Sequence, residues 1–244
     1  MSDQLAIPAA TLVVVRDTAE GPPELLMVER AQGMAFAAGA LVFPGGRIDE
    51  NDRALGGEAA AQVAAIRETL EETAIPVGLA PLMSVETATS LQSELLTDRG
   101  IDELLLEHGL SLKLEALTPL ARWVPKFHAT RRFDTLFFVA RAPDGEWQPS
   151  FVPGECSGAF WITAADALER ERRGEAQLIF PTRRNLERLA LHASFDAIRA
   201  DANAHPVAPI TPWVEAVGGE NFINIPDGIG YPVTREKLDG LWRG

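Results

Sequence analysis

The stretch FPGGRIDENDRALGGEAAAQVAAIRETLEETAI, Phe43 to Ile75, sets a Pro-Gly-Gly turn at the end of a short apolar run, then an acidic loop, then a helix with four charges in six residues. Val63, Ile66, Leu70 and Ala74 recur at spacings of three and four and give that helix one apolar stripe to bury. Its other face is acidic. Glu68 precedes Glu71 by three residues and Glu72 by four, and like charges at these spacings cost a helix roughly 0.2–0.5 kcal/mol per pair. Arg67, four before Glu71, neutralises part of this, whereas hard divalent cations seek clustered carboxylate oxygens. An acid cluster alone also fits a solvated helix face, and a Pro-Gly-Gly sequence alone fits a plain turn. It is the turn and the acidic helix together that suggest a site.

Gly46 followed by Arg67-Glu68-Thr69-Leu70-Glu71-Glu72-Thr73-Ala74-Ile75 resembles the signature of the Nudix hydrolase superfamily: a glycine, five residues, a glutamate, seven residues, then Arg-Glu-apolar-x-Glu-Glu-x-Gly-apolar. Thr69 stands where the pattern has an apolar residue and Ala74 where it has glycine. Gly46 and Arg67 are twenty-one positions apart instead of fourteen, a seven-residue insertion. Two acids compete for the first glutamate of the pattern: Asp52 has the right distance from Gly46, and Glu58 is one residue off the right distance from Arg67. The resemblance implies that Glu68, Glu71 and Glu72 hold Mg²⁺ or Mn²⁺, that Gly45 at the turn offers a backbone carbonyl to the metal, and that Arg67 orients a glutamate. Glu68 is then a candidate base. Glu155, shortly before the apolar run GAFWI, is a second, because Nudix enzymes often supply a further acid from a loop outside the motif; an exposed loop acid is the alternative. The upstream run LLMVERAQGMAFAAGALVFPGG and the downstream RWVPKFHATRRFDTLFFVA and IFPTRRNLERLA resemble the coenzyme A diphosphatase-like branch.

The chain has 244 residues, 46% of them hydrophobic, and a formal net charge of −13. That charge argues against a nucleic-acid backbone as partner. Within it, Lys126, His128, Arg131 and Arg132 form the densest basic cluster; it suits either recognition of an anionic group or a solvated hairpin tip. Lys126, Arg131 and Arg132 are the candidate substrate-binding residues. A single cysteine, Cys156, leaves no intrachain disulfide, and it reads as a packed thiol rather than a nucleophile. The four histidines, His108, His128, His192 and His205, make no local zinc motif. No run of eighteen apolar residues and no signal-peptide pattern is seen, so a cytoplasmic protein without membrane association is expected.

Along the chain, Thr11–Val15 and Leu25–Val28 read as two strands, a hairpin or near neighbours, Ala40–Phe43 as a third, and Leu120–Val124, Phe133–Ala140 and Gly158–Ile162 as further ones. Residues 90–107 read as helical material broken or bent near Gly100, Thr163 to Asp166 as a capping box, and Pro181 to about Arg199 as one longer helix. Beyond Asp201 the proline- and glycine-containing segment offers one short strand, Phe222 to Ile225.

These signals predict an α/β fold, and the resemblance makes it a Nudix α/β/α sandwich with a mixed sheet. The domain is expected over residues 5–190 with a helical insert at about 88–112. Residues 191–244 are expected to form a helix end and an extension packed on the same domain. The activity implied is divalent-metal-dependent hydrolysis of a nucleoside diphosphate linked to another moiety. Coenzyme A or acyl-coenzyme A is the leading substrate, giving 3′,5′-ADP and (acyl-)4′-phosphopantetheine. The alternatives are an ADP-ribose or dinucleotide diphosphatase and, from another class, a Nudix-fold binding module without catalysis. The partner is a small molecule, and a homodimer is left open.

Overall fold

The computed structural model describes residues 6–31, 39–56, 59–97, 99–124, 132–151, 153–154 and 156–238. Strands β1 (Ile7–Arg16), β2 (Glu24–Arg30), β3 (Leu41–Val42), β4 (Gly45–Arg47), β7 (Thr118–Trp123), β8 (Phe133–Arg141), β9 (Cys156–Thr163) and β10 (Pro209–Ile210) form one mixed sheet. Helices cover both of its faces, which is the expected α/β/α sandwich. β1 lies inside the sheet and pairs in parallel with β8 from Ile7 to Val15. A parallel pair of this kind needs cover on both sides, and the β-branched run supplies it. Ala10, Leu12 and Val14 enter one core with helix α2 (Ala60–Thr73), while Val13 and Val15 enter the other, on the opposite face.

The sheet splits between β1 and β2. The two are paired only at Val15–Leu25 and Arg16–Glu24; beyond that β2 pairs with β9 on one side and β3 on the other, and β1 pairs with β4. The chain from Leu41 to Arg47 fills this split, bonded first to β2 and then to β1, with Leu12 N–H donating to the Pro44 carbonyl at 3.0 Å. The Pro-Gly-Gly turn is thereby wedged into the sheet.

On the α2 side, helices α3 (Val85–Leu95) and α4 (Ile101–Glu107) and the small pair β5 (Leu79–Ala80) and β6 (Ser111–Leu112) make the insert, broken before Gly100 as expected. Ala88, Leu91, Leu95, Ile101, Leu104 and Leu105 seat it in the core. The Thr163 hydroxyl accepts from Asp166 N–H at 3.1 Å and caps α5 (Ala164–Arg172).

The single helix expected from Pro181 to Arg199 is instead two, α6 (Phe180–Leu189) and α7 (Phe195–Ala204). Ser194 starts the second one: its hydroxyl accepts from Ala197 N–H at 3.3 Å, and Phe195 N–H donates to Asp17 Oδ1 at 2.7 Å. The apolar stripe accordingly passes from Leu186 and Leu189 to Phe195, Ile198 and Ala202, while Ala193 is exposed. The segment after Asp201 is also more structured than its composition suggested. It holds β11 (Trp213–Val217), β12 (Glu220–Asn224) and β13 (Arg235–Lys237) as a separate antiparallel sheet. Ile223, Ile225 and Tyr231 belong to the same core as Trp123 and Leu186.

Buried arginines fasten this extension. Arg184 pairs with Glu187 and Glu236 and donates to the Val233 carbonyl at 3.1 Å. Arg188 Nε donates to Asp201 Oδ2 at 2.7 Å and its Nη1 to the Leu120 carbonyl at 3.2 Å. His192 and His205, thirteen residues apart, both reach the same Asp201 carboxylate, at 3.5 and 3.2 Å. Tyr231 donates to Asn185 Oδ1 at 2.7 Å and accepts from Trp123 Nε1 at 3.2 Å. Cys156 is buried, as a packed thiol would be.

α2 ends on Ala74 in the left-handed conformation (φ 56°), with its N–H closing onto the Leu70 carbonyl at 2.8 Å. Glycine is the usual residue for such a helix end, and a side chain there costs about 1–2 kcal/mol. Ala74→Val, branched at Cβ, is therefore expected to destabilise the protein by at least about 2 kcal/mol in urea unfolding, with Ala74→Gly within about 1 kcal/mol of wild type. A valine variant within 0.5 kcal/mol of wild type, on the order of a neutral surface change, would refute a left-handed end for this helix.

Candidate active site

The wedged turn and the last turns of α2 face each other. A Cβ added at Gly46 would lie 2.3 Å from Glu68 Oε1, and one at Gly45 would lie 2.4 Å from the Ala10 carbonyl oxygen. Close approach to the β1 backbone requires Gly45, while at Gly46 the end of the Glu68 side chain fills the space a Cβ would take. Gly45 N–H donates to Glu72 Oε2 at 3.0 Å, so this glycine meets the acidic helix through its amide.

Arg67 is the hub of the site. Its Nε and Nη2 donate to Asp52 Oδ1 and Oδ2 at 3.0 and 2.9 Å, a two-pronged contact with a carboxylate of no exposure. Nη2 also donates to the Arg47 carbonyl at 3.0 Å, and Nη1 meets Glu68 Oε1 at 3.0 Å and Glu71 Oε2 at 3.2 Å. Burial alone would lower the Arg67 pKa, but its bond to Asp52 and the charges of Glu68, Asp52 and Asp49 raise it overall. The guanidinium stays charged at every working pH. Burial pushes Glu68 up to about 7; Arg67 pulls against that shift and Glu71 adds to it.

Asp52 is delivered by a short helix, α1 (Glu50–Gly56), that occupies the lengthened loop. Asp49 and Asp52 cap it reciprocally: Asp49 N–H donates to Asp52 Oδ2 at 3.0 Å and Asp52 N–H to Asp49 Oδ1 at 2.9 Å. Asp49 also stands 3.5 Å from Arg67 Nη2. Asp52, one of the two acids competing for the first motif position, is thus bound to Arg67. Glu58 lies outside the described residues, as do Glu155, Lys126, His128 and Arg131. Arg132 is described. Its carbonyl accepts from Ile7 N–H at 2.8 Å, which puts it at the β4 end of the sheet, two strands from the turn. Asp49 and Gln92, whose contact with α2 is taken up below, were not among the expected site residues. The Asp-x-x-Asp spacing is the sequence signal that could have found Asp49.

Thr69, at an apolar position of the motif, satisfies its hydroxyl within the helix by donating to the Ala65 carbonyl at 2.7 Å. Thr73 does the same with the Thr69 carbonyl at 2.5 Å. Both hydroxyls are thus spent on the backbone of the helix itself.

Among the described residues no three His, Cys, Asp or Glu side chains converge as a metal centre. The donor set nevertheless suits a hard divalent cation, since it offers only carboxylate oxygens on adjacent turns. A cation beside Glu68 would also relieve the burial and the Glu71 repulsion that raise its pKa. To share one ion, Glu68 and Glu71 would exchange part of their contact with Arg67.

Residues 6–98 match the NUDIX domain. Over 218 residues the chain is 26% identical to "Putative nudix hydrolase 7" of Caenorhabditis elegans, a match that spans 88% of this chain and 70% of that protein. The crystal structure of a NUDIX hydrolase from Alicyclobacillus acidocaldarius superposes with a TM-score of 0.71 at 28% identity, over 82% of this chain and 97% of that one. Fold, domain match and relatives together define a hydrolase of pyrophosphate bonds. The chain is similar to the Nudix hydrolases, which generally need divalent metal ions such as Mg²⁺ or Mn²⁺.

Proposed function

We propose that the enzyme cleaves the diphosphate of a nucleoside diphosphate derivative, and that coenzyme A or acyl-coenzyme A is that derivative, giving 3′,5′-ADP and (acyl-)4′-phosphopantetheine. The observation that carries this reading is the placement of Arg132. It ends the densest basic run of an acidic chain and stands at the end of the sheet toward which β4 runs from the Pro-Gly-Gly turn. Coenzyme A carries a 3′-phosphate that most nucleoside diphosphate derivatives lack, and a basic residue here suits that extra anion.

A bound Mg²⁺ or Mn²⁺ polarises the phosphoryl oxygens and neutralises charge on the leaving phosphate. Glu68, Glu71 and Glu72 would hold it. Arg67 keeps Glu68 and Glu71 in register and ties them to α1 through Asp52, and the Gly45 amide fixes Glu72. Glu68, or Glu155 from its loop, takes the proton of the attacking water.

The test is a comparison of coenzyme A, dephospho-coenzyme A and ADP-ribose at equal Mg²⁺ or Mn²⁺. One charge-assisted contact to the 3′-phosphate is worth about 1.5–3 kcal/mol, so coenzyme A should exceed dephospho-coenzyme A in kcat/KM by roughly ten- to a hundredfold. The variant Arg131→Glu, Arg132→Glu should erase that preference. Faster turnover of ADP-ribose than of coenzyme A, or an unchanged preference in the variant, would overturn the assignment.

A further inference from the structure

We infer that Gln92, on the insert helix α3, is a positioning residue for the acidic turn of α2 and sets the affinity of that turn for a divalent cation. The inference rests on the metal-dependent reading above. Helix α2 ends at Thr73, so Glu71 and Glu72 sit in its last turn, where backbone carbonyls have no partner within the helix. Left alone such a turn frays, and its side chains move with it.

Here the carbonyls are taken up from elsewhere. The Glu71 carbonyl accepts from Gln92 Nε2 at 3.0 Å, and the Thr73 carbonyl accepts from Ser150 N–H at 2.9 Å. The second proton of the same Gln92 amide goes to the Ser150 carbonyl at 2.9 Å. One side chain therefore ties the carboxylate-bearing turn to the segment before β9. Gln92 is 2% exposed, and its neighbours Leu91 and Leu95 seat α3 in the core. A rigid, dry support of this kind holds its two carbonyls in place, and with them the direction in which Glu71 and Glu72 leave the helix.

A second cross-element amide supplies the comparison. Gln62 Nε2, in the first turn of α2, donates to the Leu114 carbonyl at 3.1 Å. It joins the same helix to the segment just after β6 but lies at the end away from Glu71 and Glu72. If Gln92 only held α3 to α2, the two amides would be equivalent.

The experiment is calorimetric titration of the full chain with Mn²⁺, without substrate, on wild type, Gln92→Met and Gln62→Met. Methionine keeps the length and removes the donors. Loss of a group that orients metal ligands typically weakens metal binding by 10–100-fold, so Gln92→Met should raise the Mn²⁺ dissociation constant at least about tenfold. Gln62→Met should stay within about twofold. Gln92→Glu, which keeps polarity but cannot donate at neutral pH, should show the same loss as Gln92→Met. Wild-type affinity in the Gln92 variants, equal losses at Gln62 and Gln92, or failure of both Gln92 variants to fold would each overturn the positioning role. Wild-type protein that takes up no Mn²⁺ would instead overturn the metal reading itself, and the inference with it.

Discussion

Replacing Arg67 by alanine is expected to cost about 3–5 kcal/mol of stability, the usual result of leaving one member of a buried ion pair without the other. Asp52 is fully buried, and Arg67 supplies both of its guanidinium contacts. Among the described residues, what remains for Asp52 is the Asp49 amide. For a chain of this size 1 kcal/mol moves the melting temperature by roughly 2–4 °C, so the fall should be roughly 6–20 °C. Arg67→Lys should recover only part, since an ammonium cannot make the two-pronged contact. The paired variant Arg67→Ala, Asp52→Ala should be markedly less destabilised than the sum of its singles. A melting temperature within 2 °C of wild type for Arg67→Ala, a shift on the order of 1 kcal/mol or less, would mean that this contact carries little of the fold.

The second large effect is on turnover. Glu72→Gln should lower kcat at saturating Mg²⁺ by at least about a hundredfold, because charge stabilisation through a metal is worth several kcal/mol and each 1.36 kcal/mol is tenfold in rate. The fold should survive. Glutamine keeps an oxygen that can accept from Gly45 N–H, the contact that joins Glu72 to the turn, so the melting temperature is expected to stay within a few degrees. Turnover like wild type would remove Glu72 from the catalytic machinery.

The sequence carried the architecture where periodicity was strong and lost it where the determinants were single residues. Val63, Ile66 and Leu70 are fully or almost fully buried, because a stripe repeated at helical spacing has only one face to offer. β1 and β2 were legible for the same reason. The break between α6 and α7 turned on one serine hydroxyl at Ser194, a cap of the same kind as the one recognised at Thr163. Of the C-terminal sheet only the strand at Phe222 was legible, because prolines and glycines mask the others locally, and what stabilises it is mostly distant: apart from Glu187, the partners given for Arg184 and Arg188 lie from 13 to 68 positions away. Polar burial of that kind leaves no periodic trace. In the site, the acids of α2 and both glycines of the turn could be named from the motif, whereas the contact of Asp52 with Arg67 depends on α1, a short helix in the insertion that the motif does not describe. Gln92 gave no signal, since an amide amid charged and apolar residues looks like any helix-surface residue.

The sharing of one core between early and late segments has a consequence for synthesis. Trp123 packs edge-on against both Phe180 and Tyr231, with ring centroids 5.8 and 5.6 Å apart. Ribosomes add about 5–20 residues each second, so the half of the molecule built on this face of the sheet waits on the order of seconds, holding Trp123 and its neighbours uncovered, until the segment bearing Ile223 to Tyr231 has emerged. The α2 face is made entirely from residues up to Trp147 and a few partly buried neighbours, and it can close first. The nascent chain thus meets the cell with its catalytic face formed and its opposite face still apolar and open, which is the interval in which a chaperone has something to hold.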